Sequence, residues 1–207
     1  MKRLKYFSPF EWSLWLSSLL IITAFFLIFD RDGYLTLIAS LIGVTSLIFA
    51  AKGNPTGPLL MIVFSILYGM ISYSFAYYGE MITYLGMTLP MSVTALVAWL
   101  KNPYKGKKSE VKIERLTKSE VVFALALTAI VTAIFYFILD AFDTANIIPS
   151  TVSVTTSFLA VYLTWRRSPY YALAYAANDV VLIVLWVMAS IQDISYLSVT
   201  VCFAVFL

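Results

Sequence analysis

The sequence is poor in the residues on which soluble enzymes and disulfide-stabilised domains depend. Its 207 residues include no histidine, one cysteine and only 12% charged residues, against roughly 25% charged in a typical soluble domain. The single cysteine, Cys202, excludes an intrachain disulfide. Without histidine or paired carboxylates at one depth, the chain supplies neither acid–base catalysis nor metal ligation. We therefore predict no enzyme activity, no cofactor and no metal site.

Apolar residues make up 61% of the chain instead, and such a surplus of apolar surface needs lipid to cover it. Many apolar runs are long enough to cross a bilayer, which takes ~17–25 residues per helix. None shows the period-two alternation of a β-barrel strand. We predict an all-α polytopic membrane protein with spans near 12–29, 35–51, 57–78, 81–100, 121–139, 147–165, 170–190 and 194–207.

The distribution of basic residues predicts the orientation. With the N-terminus in the cytoplasm, thirteen of the fourteen Lys and Arg residues lie on the cytoplasmic side, and only Arg31 lies outside. Seven of them belong to the loop 101–118, whose basic cluster is typical of topology and lipid headgroup contact rather than of nucleic-acid binding. The same assignment puts acidic residues in the outer connections: Asp30, Asp32, Glu80, Asp140, Asp143 and Asp193.

Two pairs of segments indicate an internal repeat. ITYLGMT at 82–88 returns as ISYLSVT at 194–200, an offset of 112. Upstream, a basic residue and Asn54-Pro55 open one helix, and two arginines and Ser168-Pro169 open another, at an offset of 114. The pattern predicts two three-helix units, 35–100 and 147–207.

A three-helix unit begins and ends on opposite sides of the membrane. The second copy is therefore parallel to the first only if one further helix intervenes, and the span 121–139 is that helix. In such folds the substrate lies near the midplane between the halves. We predict a 3+1+3 arrangement with four parts: an N-terminal segment with an extra span (1–34), the first repeat (35–100), the loop and linker helix (101–146) and the second repeat (147–207).

Asp179, beside Asn178, lies near the middle of a predicted span. A carboxylate there costs ~2.5–3.5 kcal/mol, and no basic side chain lies at membrane depth to pair with it. It is protonated, bonds neutral donors or meets a ligand; the alternative is a polar clasp between helices. Helical spacing places it on one face with an aromatic stripe that contains Tyr171, Tyr175, Asn178, Asp179, Leu182 and Trp186.

The first repeat offers a counterpart face. It carries Ser65, which is equivalent to Asp179 at the offset of 114, followed by Tyr68 and Ser72. The third helix of this repeat adds three residues around Pro90, a proline that frees a backbone carbonyl at depth. Hydroxyl residues of this kind are also common in plain helix packing. We predict that these side chains complete the substrate site: Ser65, Tyr68, Ser72, Tyr84, Thr88 and Ser92.

Several of these stretches resemble the bacterial PnuC family of vitamin transporters: KGNPTGPLL, SILYGMISY, YGEMITYLGMTLPMS and the polar-aromatic helix that ends at Trp186. The resemblance covers about residues 35–207. It implies a homotrimer in the bacterial cytoplasmic membrane and facilitated diffusion of nicotinamide riboside, which is trapped afterwards by phosphorylation. Tyr175 and Asp179 keep a spacing at which relatives carry Trp and Asn or Asp, whereas Ala172 and Ser92 depart from the Trp and Gln of relatives.

Nicotinamide riboside also suits the predicted side chains. Its pyridinium cation can stack on Tyr and Trp rings, and Asp179 or Asn178 can bond the ribose or the carboxamide. Phosphorylated forms are expected to be poor substrates, since no base in the spans can meet a phosphate. Thiamine, riboflavin or a deoxynucleoside stay open as alternatives, while a sugar is less favoured. The single deep acid is a weak basis for ion coupling.

Overall fold

The computed structural model describes residues 6–29, 31, 33–74, 77–144, 146–191 and 194–207. These residues form eight main helices: α1 Pro9–Phe29, α2 Tyr34–Ala51, α3 Thr56–Ser74, α4 Tyr78–Lys101, α5 Lys118–Ala141, α6 Ile147–Trp165, α7 Tyr171–Ser190 and α8 Leu197–Phe206. Within this described part, α1 to α7 are long and apolar enough to cross a membrane, and α8 is shorter. The predicted all-α polytopic membrane protein is confirmed.

Helix α4 contains one wide turn. Residues Tyr84–Thr88 form a π-helical turn directly before Pro90. Proline has no N–H to donate to the carbonyl four residues earlier, here that of Gly86, so the regular ladder is interrupted at this point. The carbonyl that Pro90 leaves without its usual donor is therefore that of Gly86, inside the π turn. Such π turns are frequent at functional sites.

We describe the helices α2–α4 and α6–α8 as two sets of three, called the triplets, which contact each other reciprocally. The third helix of each triplet packs against the first helix of the other, α4 on α6 and α8 on α2. Of the other two helices, α1 packs on α2 and α8, and α5 packs on α6. The outer face of α5 is apolar, with Phe123 and Phe137 exposed, as expected for a helix surrounded by lipid.

Residues 102–117 cross one end of the bundle, which we call the loop side. They contain a β-hairpin of β1 (Pro103–Tyr104) and β2 (Lys107–Val111). The Val111 N–H donates to the Gly53 carbonyl at 2.8 Å, and the Glu114 N–H donates to the Arg167 carbonyl at 3.0 Å. The segment therefore joins the α2–α3 turn to the α6–α7 turn.

These two turns have the same backbone structure at an offset of 114. Gly53 and Arg167 both have positive φ, 65° and 57°. The next residue in each turn donates its N–H back into the preceding helix, Asn54 to Phe49 at 3.0 Å and Ser168 to Leu163 at 2.9 Å. Equivalent residues therefore end α2 and α6 in the same way.

Helices α1 and α5, which lie outside the triplets, begin in the same way and are attached to the neighbouring helix in the same way. Ser8 and Glu11 exchange hydrogen bonds before α1, and Thr117 and Glu120 form the same capping box before α5. Each glutamate then pairs with a basic residue at the end of α2 or α6, with contacts between Glu11 and Lys52 and between Glu120 and Arg166. Lys52 and Arg166 are again 114 residues apart. Thus α1 is attached to α2 as α5 is attached to α6.

The two heptapeptides that first suggested the repeat do not share a local structure. In the first copy, Tyr84–Thr88 lies within the continuous helix α4 as the π turn. In the second copy, Ile194–Tyr196 is a 3₁₀ turn that precedes α8. At these positions the correspondence is therefore one of sequence rather than of backbone conformation.

Candidate functional site

A small cavity lies between the two triplets. Consecutive turns of α7 face it with Tyr175, Asn178 and Asp179, and the π turn of α4 faces it with Tyr84 and Thr88. The π turn thus places two predicted residues at one wall, opposite the predicted face of α7. The remaining lining residues come from other helices and are mostly apolar: Leu47, Met61, Phe64, Ser157, Val161, Phe203 and Phe206.

The side chain of Asn178 is held in one orientation. Its Oδ1 accepts hydrogen bonds from Thr156 Oγ1 and Ser157 Oγ, both at 2.8 Å, and the residue is only 2% exposed. The phenol of Tyr84 interacts with the same side chain from α4. With its oxygen occupied by α6, Asn178 presents its NH₂ group as a donor on the side of Tyr84.

Two further polar groups border this cavity. The carboxylate of Asp179 lines it, and the residue is 5% exposed. Across from it, Thr88 Oγ1 is buried without a hydrogen-bond partner in the part of the chain that the structure describes. Buried polar groups normally have partners, so a ligand with hydroxyl or amide groups could satisfy both walls at once. None of the lining residues is Lys or Arg.

A second cavity lies toward the loop side and shares Tyr175 with the first. Ser92 lines it, together with Ser46 and Thr164. At its end the triplets are joined by two aromatic side chains that donate to main-chain oxygens.

The two aromatic donors are reciprocal. Tyr171 Oη donates to the Ala50 carbonyl at 2.7 Å, and Trp99 Nε1 donates to the Thr164 carbonyl at 2.8 Å. The two acceptors are 114 residues apart, and each donor belongs to the other triplet. The rings of Trp99 and Tyr171 are themselves in contact, with centroids 6.1 Å apart. These contacts close the site toward the loop side.

An aromatic cluster closes the opposite side; it consists of Tyr68, Tyr77, Tyr84, Trp186 and Tyr196. Trp186 Nε1 donates to the Tyr68 hydroxyl at 2.6 Å. Ring centroids are 4.4 Å apart for Tyr68 and Tyr84 and 4.9 Å apart for Tyr77 and Trp186. Trp186 and Tyr68 were predicted to contact the substrate directly. In this structure Tyr68 contacts Tyr84, which lines the cavity, and Trp186 contacts Tyr68.

The remaining predicted residues lie away from both cavities. Ser65 Oγ donates to the Met61 carbonyl of its own helix at 2.8 Å. Ser72 is buried, with no partner for its hydroxyl among the described residues. Two residues that the sequence did not single out, Thr156 and Ser157, instead hold Asn178.

The sequence profile of the nicotinamide mononucleotide transporter family matches residues 33–207. The chain belongs to this family. It is also 28% identical over 181 residues to the nicotinamide riboside transporter PnuC of Neisseria mucosa, a match that covers 86% of this chain and 68% of that protein. The family resemblance predicted from the sequence is therefore confirmed.

The fold is that of a solved family member. The crystal structure of the vitamin B3 transporter PnuC superposes on the chain with a TM-score of 0.80 at 24% sequence identity. The superposition covers 97% of this chain and 89% of that one. This likeness shows that the chain has the fold of a membrane transporter.

In this member of the nicotinamide mononucleotide transporter family, the site is contracted. The cavity between Tyr84 and Asp179 has a volume of about 20 Å³, and the loop-side cavity about 10 Å³. One water needs ~10–15 Å³, whereas small-molecule pockets measure ~300–1,000 Å³. A vitamin-sized ligand therefore fits only after the triplets separate on one side.

One acidic residue lies in a different place from the predicted one. Glu80 was assigned to an outer connection, but it belongs to the first turn of α4 and is 1% exposed. Glu80 is therefore a second buried acid, but it lies at the end of a span, whereas Asp179 lies near the middle of one. Glu80 is buried where α4 packs against α6, and Ser153 of α6 lies beside its carboxylate.

Proposed function

We propose that the chain moves nicotinamide riboside across the membrane, rather than its phosphorylated form. The family is named after nicotinamide mononucleotide, whereas the Neisseria relative is named after nicotinamide riboside. These two ligands differ by a phosphate. The lining of the cavity carries the proposal, because it offers a carboxylate and no basic side chain. When the triplets separate and water reaches Asp179, its ionised form becomes favourable. A phosphate placed near it would then be repelled, whereas a pyridinium cation would be attracted.

The polar groups of the cavity match the functional groups of the nucleoside. The rings of Tyr84 and Tyr175 present aromatic faces to which a planar cation binds with ~0.5–2 kcal/mol. Asn178 offers a donor to the carboxamide or a ribose oxygen. Asp179 and Thr88 accept from ribose hydroxyls. Asn178 is already held by two hydroxyls of α6, so its amide need not reorient on binding.

We propose that transport is facilitated diffusion with alternating access, and the two closures support the alternating access. Breaking the contacts of Tyr171 and Trp99 with the opposite triplet would open the site to the loop side, while separation of the aromatic cluster would open it to the other side. The 3+1+3 arrangement is supported by the matched α2–α3 and α6–α7 turns. The matched capping boxes extend the correspondence to α1 and α5.

We place the loop side in the cytoplasm of a bacterial inner membrane, with the N-terminus also inside, because the basic residues gather there. A homotrimer, which the family resemblance implies, is tested by measuring the mass of the purified protein in detergent by light scattering. A monomer mass at micromolar protein would exclude it.

Uptake into proteoliposomes tests the substrate. We expect saturable uptake of radiolabelled nicotinamide riboside, and at least ten times slower uptake of the mononucleotide. Unlabelled thiamine, riboflavin and a deoxynucleoside serve as competitors in the same assay. Tight binding of the mononucleotide without binding of the nucleoside would contradict the proposal, and complete competition by one of the other vitamins would reassign the substrate.

A further inference from the structure

Glu80 is a buried acid that the proposed binding site does not use. It lies at the start of α4, on the side opposite the loop side. Both of its carboxylate oxygens are buried without a hydrogen-bond partner among the described residues. It lines neither of the two cavities at the site, which distinguishes it from Asp179.

The surroundings of Glu80 are polar but uncharged. The Ser153 hydroxyl faces it from α6, although that oxygen also lacks a hydrogen-bond partner in the described structure. The titratable groups that interact with the carboxylate are three phenols, those of Tyr68, Tyr77 and Tyr84. All ion pairs of the described residues lie elsewhere: Glu11–Lys52, Glu110–Lys107, Glu120–Arg166 and Glu114–Arg167.

The same region contains another unpaired hydroxyl. Thr144, which precedes α6, packs against Gly79, where an added Cβ would lie 3.3 Å from Thr144 Oγ1. That oxygen is also buried without a partner among the described residues. The closed structure therefore leaves a group of oxygens beside the aromatic cluster short of hydrogen bonds, and water would supply them if α4 and α6 moved apart on this side.

An isolated charge is the least favourable state for such a carboxylate. Burying an ionised carboxylate without a partner is strongly unfavourable, and buried groups of this kind are normally neutralised. Glu80 lines neither of the two cavities described at the site, and a proton, unlike an organic cation, needs no cavity to bind. Once water enters, the ionised form becomes favourable again.

We propose that Glu80 is a proton-binding site whose occupancy is linked to closure of the aromatic cluster. The closed state holds the proton on the carboxylate, and opening toward the outer solution releases it to water. Because a ligand shifts an equilibrium toward the state that binds it, low outer pH favours closure and high outer pH favours opening. One proton changes the ratio of closed to open molecules by at most ~10-fold per pH unit.

The test compares wild type, Glu80→Gln and the control Glu110→Gln, which changes a half-buried glutamate of the β-hairpin that pairs with Lys107 outside the bundle. Glutamine has the shape of the protonated acid, so Glu80→Gln keeps the closed structure. The first measurement is the initial rate of nicotinamide riboside uptake at outer pH 6 to 8 with the inner pH fixed. The second is the melting temperature of the purified protein in detergent over the same pH range, which requires no substrate.

We expect the uptake rate of wild type and Glu110→Gln to rise with outer pH, and that of Glu80→Gln to stay constant. The melting temperature should fall with rising pH more steeply in wild type than in Glu80→Gln. Asp179 is present in all three proteins, so the difference isolates Glu80. Equal pH dependence of wild type and Glu80→Gln would overturn the proposal. Since the uptake measurement rests on the proposed function, absence of uptake in all three would count against that function, and the melting curves would still decide on Glu80.

Discussion

The orientation of Asn178 depends on two hydroxyls of α6, and removing one of them gives a sharp test of the site. Ser157→Ala deletes the 2.8 Å hydrogen bond from Ser157 Oγ to Asn178 Oδ1 and leaves the bond from Thr156. A neutral hydrogen bond of this kind contributes ~0.5–1.5 kcal/mol to folding. We therefore expect the free energy of unfolding to fall by about 1 kcal/mol.

The effect on ligand binding has a separate origin. In wild type the amide is already oriented, whereas in Ser157→Ala binding must immobilise it, at a cost of ~0.5–1.5 kcal/mol per side chain. The dissociation constant for nicotinamide riboside should then rise by about 2- to 10-fold. The double variant Thr156→Val/Ser157→Ala leaves a buried carbonyl without a donor and should weaken binding further.

Isothermal titration calorimetry with the purified protein measures this change, and thermal unfolding measures the loss of stability. Ser40→Ala is the matched control, because Ser40 is equally buried but lies away from the cavity, where its hydroxyl donates to the Thr36 carbonyl of its own helix and interacts with Cys202. It should lose stability without losing affinity. If Ser157→Ala bound the nucleoside as tightly as wild type does, or if Ser40→Ala weakened binding equally, the assigned role of Asn178 would be refuted.

Three further outcomes are expected. Asp179→Asn should weaken binding of the cationic nucleoside by about 10-fold or more, because it removes a charge contact worth ~1.5–3 kcal/mol. Binding of the uncharged reduced form of the nucleoside should weaken much less. Calorimetry with both ligands compares the two effects. Trp99→Phe and Tyr171→Phe each remove one loop-side hydrogen bond, so a cysteine-specific reagent added from that side should reach an engineered thiol in the cavity faster. Gly57→Ala should lower the melting temperature and the yield, because its Cβ would lie 2.7 Å from the Ala50 backbone nitrogen, and overpacking costs ~1–3 kcal/mol.

The helices were predictable because each apolar run of α1 to α7 is bounded by charged, Gly, Asn or Pro residues. The ends of the helices were less predictable. Helix α3 was expected to reach residue 78 but ends at Ser74, because the apolar run continues through the aromatic residues of the next connection. Asp179 was found because a carboxylate stands out in an apolar run. Its neighbour Asn178 was found with it.

The other residues at and around the site could not be predicted from the composition or from the helical periodicity of the sequence. Helix α6 carries seven Ser and Thr residues, and nothing in their spacing distinguishes Ser157 from the others. Glu80 follows a tyrosine-rich connection and resembles an exposed loop acid; only the packing of α4 against α6 buries it. The predicted role of Tyr68 and Trp186 depended on which side of each ring faces the cavity, and one helix alone does not determine that.

Closure on the loop side uses main-chain oxygens as acceptors, and this has a consequence for how the protein can vary. The side chains at positions 50 and 164 take no part in the two hydrogen bonds, so small residues of many kinds could replace them without removing an acceptor. The donors have no such freedom, because only an aromatic ring with a polar edge reaches across. Related proteins that keep these two hydrogen bonds should therefore vary among small residues at the two acceptor positions. They should keep an aromatic side chain with a polar edge at the two donor positions.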